Sequence, residues 1–482
     1  MFAHCYRRER SETKTTNSMY GEFYAKMKGV KISVQPKLQK ILHYIDSNRE
    51  QFITNLAEIV KYKTITTELE YKSDVRKMRK IVEAWFKKLG MKSECFNIGS
   101  YTVDGKRVKL PPIVLGSLDQ GPRKKTVCVY LHADVPKPDK SKWSTDPWTL
   151  SVEDNKFYGC GVACGKGPLI SWLQVVEAFQ KCNIEIPVNL KLVVEFMNHQ
   201  HCTGLPDFIT ARMEDFLSRV DYVVVNESEW LGDKYVTLPN NDRKKRKTQK
   251  NCIKDDMKKI FDTIRDENDN VIIPGFHTLV EAVTPDEEAV YQAIDFDPDE
   301  IRGSLPDKKK DWDKMKLLMN FWRFPAIYVD DMQECICDKK DKSIVKQNFV
   351  LKIVPKQIVA TTEECVSNHI KKTVKKLGIE NKVSCDLTYS VRPWYEDFRC
   401  PSYEAATRAT IQIYKECPNM IREDRSRETV TTLDRILEKT VLLLPLYCSG
   451  CNAGEENENV TSRNYYEGIK LLAAYLFQVS NV

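Results

Sequence analysis

The chain has 482 residues, too many for one hydrophobic core, and its 42% hydrophobic and 30% charged content is ordinary globular composition, which excludes a disordered or fibrous chain. The 75 basic and 68 acidic residues leave a formal charge of only +7, without the basic dominance of a nucleic-acid-binding protein. No apolar run reaches the roughly 18 residues of a membrane helix, and the scattered cysteines, with no apolar leader before them, read as reduced cytoplasmic thiols.

Residues 1–37 carry mixed charge and no period, and are expected to form a poorly ordered extension. Arg7, Arg8 and Arg10 are interrupted by Glu9 and Glu12, a poor match to an acid-free transit peptide. Helical spacing begins at Leu38 and continues through Ile41, Ile45, Phe52, Leu56 and Ile59. Thr126–Val135 reads as a buried strand. Gly167–Lys181 reads as a helix with Leu169, Trp172, Val175 and Phe179 on one face. Asn189–Met197 is a strand, Pro206–Leu217 a helix and Val220–Asn226 a third strand. Strand and helix in close alternation predict an α/β fold with a mostly parallel sheet. From Gly232 to about Glu396 the texture changes, with a basic run at Arg243–Lys247 and a charged run at Lys308–Lys316. No aromatic residues interleave with the first run as stacking on bases requires, so it reads as a solvated loop and nucleic acid is not an expected partner. Near the C-terminus Tyr465, Ile469, Leu472, Leu476 and Val479 mark an amphipathic helix that packs on the same core.

In open α/β sheets ligands gather at the carboxyl ends of the strands. The first strand ends at His132 and Asp134, two apart, where a carboxylate accepts one imidazole N–H and leaves the other nitrogen for a metal. A glycine-rich turn, Gly159–Gly167, carries Cys164 but lacks the spacing of a phosphate loop or a dinucleotide fingerprint. The second strand ends in Asn198, His199, His201 and Cys202, and the third in Glu227. His, Cys and Glu at successive strand ends make a transition-metal ligand set. Packed core residues of the same types are the alternative reading.

Several stretches carry a resemblance: Leu110-Pro111-Pro112-Ile113, Ile273-Pro274-Gly275, Ala293-Ile294-Asp295-Phe296-Asp297, Trp322-Arg323-Phe324-Pro325, and Tyr466-Glu467-Gly468 running into Leu472-Ala473-Ala474-Tyr475-Leu476. From about residue 38 to the C-terminus the chain resembles the metallopeptidase family of cytosolic non-specific dipeptidase, carnosine dipeptidase, aminoacylase and carboxypeptidase G. The resemblance implies a catalytic-type domain in two parts, 38–234 and 397–482, with a smaller α/β lid of the dimerisation type inserted at 235–396. It also implies dipeptide or small-peptide substrates and two metal ions bridged by a carboxylate and a water.

Carried over residue by residue, the family's His-x-Asp is intact as His132 and Asp134. The bridging Asp is replaced by Cys164, the adjacent base and ligand Glu residues by Asn198 and His199, and a ligand Asp by Glu227. The last His ligand falls at Gly454. A lid Arg aligns with Lys352, and the Gly-Gly-Ser loop for the substrate carboxylate reads Asp424-Arg425-Ser426, leaving Lys352 and Ser426 as the substrate-binding positions. The lid lacks a counterpart of the His-Ser-Gly stretch that reaches a partner subunit, which leaves homodimerisation open.

An amide does not titrate, and loss of a general base typically costs about 100- to 10,000-fold. The expectation is therefore a catalytically impaired homologue, a pseudoenzyme acting through ligand or partner binding. Its alternative is an active metallodipeptidase with a remodelled centre. One zinc or manganese ion is expected rather than two, on His132, Cys164, His199 and Glu227, with Cys448 and Cys451 as further sulfur donors.

Overall fold

Every residue of the strand Thr126–His132 is buried, and its side chains divide between two cores. Val127, Val129 and Leu131 face one, Cys128 and Tyr130 the other, as the period of two along a strand covered on both faces requires. The computed structural model describes residues 32–482 with Met27 and Val30, apart from 104–105, 231–251, 268–269, 304, 306, 330–332, 338–341 and 422–426. The run Arg243–Lys247 and the residues Asp424, Arg425 and Ser426 lie outside the described residues.

The central sheet has six strands, β1 (Lys92–Phe96), β2 (Ile113–Leu118), β3 (Thr126–His132), β4 (Asn189–Glu195), β5 (Tyr222–Val225) and β6 (Val441–Leu443), in the order β1-β2-β4-β3-β5-β6. β4, β3, β5 and β6 run parallel, whereas β2 is antiparallel to both β1 and β4. One face is covered by α1 (Pro36–Ser47), α2 (Arg49–Val60), α3 (Lys72–Lys88), α4 (Lys166–Lys181) and the C-terminal helix Ser462–Val479. The other is covered by α5 (Leu205–Arg212) and the helix Glu428–Leu437. The α/β fold with a mostly parallel sheet is thus as the alternation of elements predicts.

Several boundaries move inward: β4 ends at Glu195 rather than Met197, β5 spans Tyr222–Val225 rather than Val220–Asn226, and β3 and α5 also end early. β3 stops at His132: the Ala133 N–H makes the last bond to β4, on the Glu195 carbonyl, and the Val135 N–H turns away to the carbonyl of Thr64. α5 stops at Arg212, not Leu217, where the Arg212 guanidinium turns to the Asp215 carboxylate at 2.8 Å. Residues 252–385 hold separate apolar clusters, one of which joins the antiparallel pair Ala326–Val329 and Phe349–Lys352 to the helix Val359–Lys376. Among the described residues no helix is long and apolar enough to cross a membrane.

Candidate metal centre

His132 is the last residue of β3, buried with 2% of its surface exposed. Its Nδ1 lies 3.2 Å from a carboxylate oxygen of Asp134, which is fully buried. The other oxygen of that carboxylate accepts the backbone N–H of His199 at 2.9 Å. One short acid therefore orients the first imidazole and pins the turn that carries the second. Burial raises the Asp134 carboxyl, but the hydrogen bond from His132 and the charges of His132 and His199 hold it below the ordinary carboxylate range.

With Nδ1 engaged, His132 turns Nε2 towards Cys164, 3.5 Å from its sulfur. Cys164 sits in the glycine-rich turn before α4, and the close approach depends on Gly165. A Cβ there would fall 2.7 Å from His132 Cε1, and its φ of +80° lies in the left-handed region. The turn is fastened from beneath by Glu458, whose carboxylate accepts the N–H groups of Gly161, Ala163 and Cys164 at 2.7, 3.0 and 2.7 Å. Burial pushes this carboxyl up to about 8, aided by the charge of Cys164 and opposed by the three N–H donors. Burial also works against the Cys164 thiolate, but His132 and then His199 outweigh it and bring the thiol down to about 6. Lys166, the first residue of α4, is fully buried and donates to the carbonyls of Val60, Tyr62 and Cys160; burial draws its ammonium down to about 8.

The rings of His132 and His199 stand 5.4 Å apart, and one ligand atom from each of His132, Cys164 and His199 lies within 4.8 Å of the other two. His199 Nε2 is buried with no hydrogen-bond partner. A buried orphan nitrogen, an imidazole oriented by a carboxylate, and an acidified thiol together fit a single thiophilic divalent ion. They do not fit a pair of hard ions, which need carboxylate bridging.

Glu227 stands outside this group. It is buried, and its carboxylate accepts from the Asn198 amide at 2.8 Å. The same amide nitrogen lies 3.1 Å from the Tyr130 hydroxyl and 3.2 Å from that of Thr429. Tyr130 in turn donates to Glu195, which burial pushes up to about 8 against the pull of that hydrogen bond. Cys448 and Cys451 lie against each other, sulfurs 3.2 Å apart, rather than in the ligand group. Lys352 donates to the carbonyls of Asn320 and Phe321. His201 is left at the surface, 4.4 Å ring to ring from Tyr389.

Gly454, where the resemblance places a last His ligand, abuts the centre: a Cβ on it would lie 3.9 Å from His199 Cε1. The residues that sequence reasoning passes over are Glu458, Tyr130, Glu195 and Thr429. Glu458 reaches Cys164 across 294 positions, and nothing local in Asn457-Glu458-Asn459 marks it. Glu195 ends its strand beside the quoted cluster and gives a sharper signal, an acid closing an apolar run.

Comparison with known proteins agrees with this architecture. Cys-Gly metallodipeptidase dug1 of Schizosaccharomyces pombe is 30% identical over 476 residues, covering 92% of this chain and 99% of the relative. Beta-Ala-His dipeptidase of Homo sapiens is 26% identical over 472 residues, covering 92% and 93%. In three dimensions human carnosine dipeptidase 1 superposes with a TM-score of 0.81 at 24% identity over 93% of this chain and all of that one. Dug1p from Saccharomyces cerevisiae gives 0.79 at 24% identity, covering 92% and 99%. Residues 128–478 match the description of peptidase family M20/M25/M40, and the chain belongs to that family.

Proposed function

We propose that this protein is a metallodipeptidase with a remodelled, single-ion centre, binding one zinc ion on His132, Cys164 and His199 and acting on dipeptides or small peptides. The observation that carries the reading is the position of His199. One of its ring nitrogens lies with Cys164 and His132, and its ring lies beside Gly454, where the resemblance expects a histidine. Position 199, where the resemblance expects a ligand Glu, thus keeps a metal donor although position 454 has lost one, which favours a retained metal. Dipeptide hydrolysis is supported by the relatives that share almost the whole chain.

A bound zinc ion supplies Lewis acidity to the scissile carbonyl and acidifies its water. The protein's own part is uneven. Asp134 fixes the His132 tautomer, and Glu458 holds the Cys164 turn. At the base position, Asn198 donates to Glu227 and takes no proton. Turnover is accordingly slow, by about 100- to 10,000-fold against an enzyme with a carboxylate there. The second reading, a pseudoenzyme that binds a peptide or partner without cutting it, is favoured by that same amide. We place the protein in the cytosol, a reducing compartment that keeps most cysteines as thiols.

The test joins metal and turnover on one sample. Elemental analysis is expected to give one zinc per chain, lost in C164A, with hydrolysis of Cys-Gly or β-Ala-His above the level of H132A. Two ions per chain, or none, overturns the single-ion centre. One zinc with no turnover leaves the pseudoenzyme.

A further inference from the structure

Cys448 and Cys451, candidate metal donors by their place in the sequence, lie against each other in the structure. Cys448 ends the short strand Tyr447–Cys448 and caps the single turn Ser449–Cys451. The two sulfurs stand 3.2 Å apart, both residues at most 2% exposed. A disulfide bond is about 2.05 Å long, so closure needs about an ångström of side-chain movement. We infer that Cys448 and Cys451 form a dithiol modification site that closes reversibly to an intramolecular disulfide.

Three features support this beyond proximity. The Cys-Ser-Gly-Cys spacing is that of dithiols that cycle between thiol and disulfide. The bond closes a loop of only four residues, so it restrains the unfolded chain far less than a long-range bridge and has little value as a stabilising staple. The chain also turns around the pair through partly exposed Ser449 and Gly450 and exposed Asn452, so opening of this one short turn admits a water-sized oxidant.

Hydrogen peroxide is the oxidant class that suits such access. It oxidises one thiol, Cys448 being the less enclosed, to a sulfenic acid and releases one water. The Cys451 sulfur then attacks that sulfur, the S–O bond breaks and the S–S bond forms, and a second water leaves with the Cys451 proton. Two thiol hydrogens and one peroxide thus become two waters. A dithiol reductant reverses the reaction by exchange.

The location gives the bond a consequence. The strand Tyr447–Cys448 pairs in parallel with Glu229–Trp230, directly after Glu227. The loop that follows carries Gly454 beside His199 and Glu458 beneath Cys164. A disulfide at the root of this loop fixes its entry while its exit is held by Asn459–Thr461 on Lys156–Tyr158.

The full chain is treated with hydrogen peroxide, its remaining thiols are alkylated under denaturing conditions, and the peptide containing residues 448 and 451 is weighed. The expected result is a loss of two hydrogens with neither sulfur alkylated, reversed by dithiothreitol. In C451S, and separately in C448S, that loss disappears. Recovery of both cysteines alkylated after peroxide has oxidised exposed Cys95 overturns the assignment, as does a disulfide joining either one to another cysteine. The readout is mass alone, so it stands or fails independently of zinc binding and turnover.

Discussion

Restoring a carboxylate at the base position does not simply restore the base, and the reason is the 2.8 Å contact from Asn198 to Glu227. In N198E the donor is replaced by a second acid confined against the first. Two unit charges at that separation repel by roughly 6 kcal/mol at an effective dielectric of about 20. The protein avoids this by keeping a proton on one of the two carboxyls. That proton costs about 1.4 kcal/mol for each pH unit above the ordinary Glu value of about 4.3. The destabilisation of N198E is therefore about 1 kcal/mol at pH 5 and about 4 kcal/mol at pH 7, and saturates near 6 kcal/mol at higher pH. Urea unfolding of the wild type and N198E at pH 5, 6 and 7 reads this slope directly. The double variant N198E/E227Q removes the second charge and is expected to recover most of the loss at pH 7. A pH-independent difference below about 0.5 kcal/mol, the range of ordinary surface substitutions, refutes the contact and with it the account of why Glu227 is held away from the metal ligands.

Three further outcomes follow from the same geometry. D134N, which keeps the shape but loses the charge and replaces one of the two acceptor oxygens on His132 and the His199 N–H with an NH2 donor, is expected to weaken zinc binding about 10- to 100-fold, measured by competition with a chromophoric chelator. G165A forces a Cβ to within 2.7 Å of His132 in a left-handed backbone, so it is expected to lose about 1–3 kcal/mol in urea unfolding and to bind zinc more weakly. The pH dependence of stability has two limbs. Glu195 and Glu458, raised to about 8, keep protons that the unfolded chain has released, so stability falls from about pH 5 to 8. Lys166, drawn down to about 8, has released a proton that the unfolded chain retains, so stability rises from pH 8 towards 10. E195Q flattens the first limb and K166M the second; unchanged limbs in these variants refute the assignment.

What was readable in the chain divides by range. The buried strands and the helix on Leu169, Trp172, Val175 and Phe179 announce themselves by local period, because a strand covered on both faces has no polar side to show. His132 and Asp134 are legible for the same reason: they interrupt an apolar run where β3 ends. The partnership of Cys164 with His132 and His199 was not fixed by spacing, since it depends on the register of parallel strands and on a turn that only Gly165 permits. Glu458 was invisible because its three acceptor contacts are to backbone N–H groups, which carry no residue signature. The ends of β3 and α5 were overrun because propensity continues where tertiary hydrogen bonds draw the chain away.

The substitutions around the centre make physical sense as a set. Against the ligands that the resemblance implies, a thiolate at Cys164 weakens any bridge between hard ions, and glycine at 454 offers no donor from the opposite loop. Either change alone reads as decay. Yet His199 brings an imidazole into the space beside Gly454, and one of its nitrogens belongs to the same group as the sulfur. A nitrogen donor beside a thiolate suits zinc better than the harder ions that all-oxygen sites hold. In the absence of metal the two imidazoles bring the Cys164 thiol down to about 6, so at neutral pH the sulfur already carries its charge. Zinc must then displace protons from the imidazoles rather than from sulfur, and its affinity rises with pH as they are released. Asn198 fits this arrangement as well. It donates to Glu227, whose carboxylate lies outside the ligand group, the arrangement that the proposed single-ion centre needs.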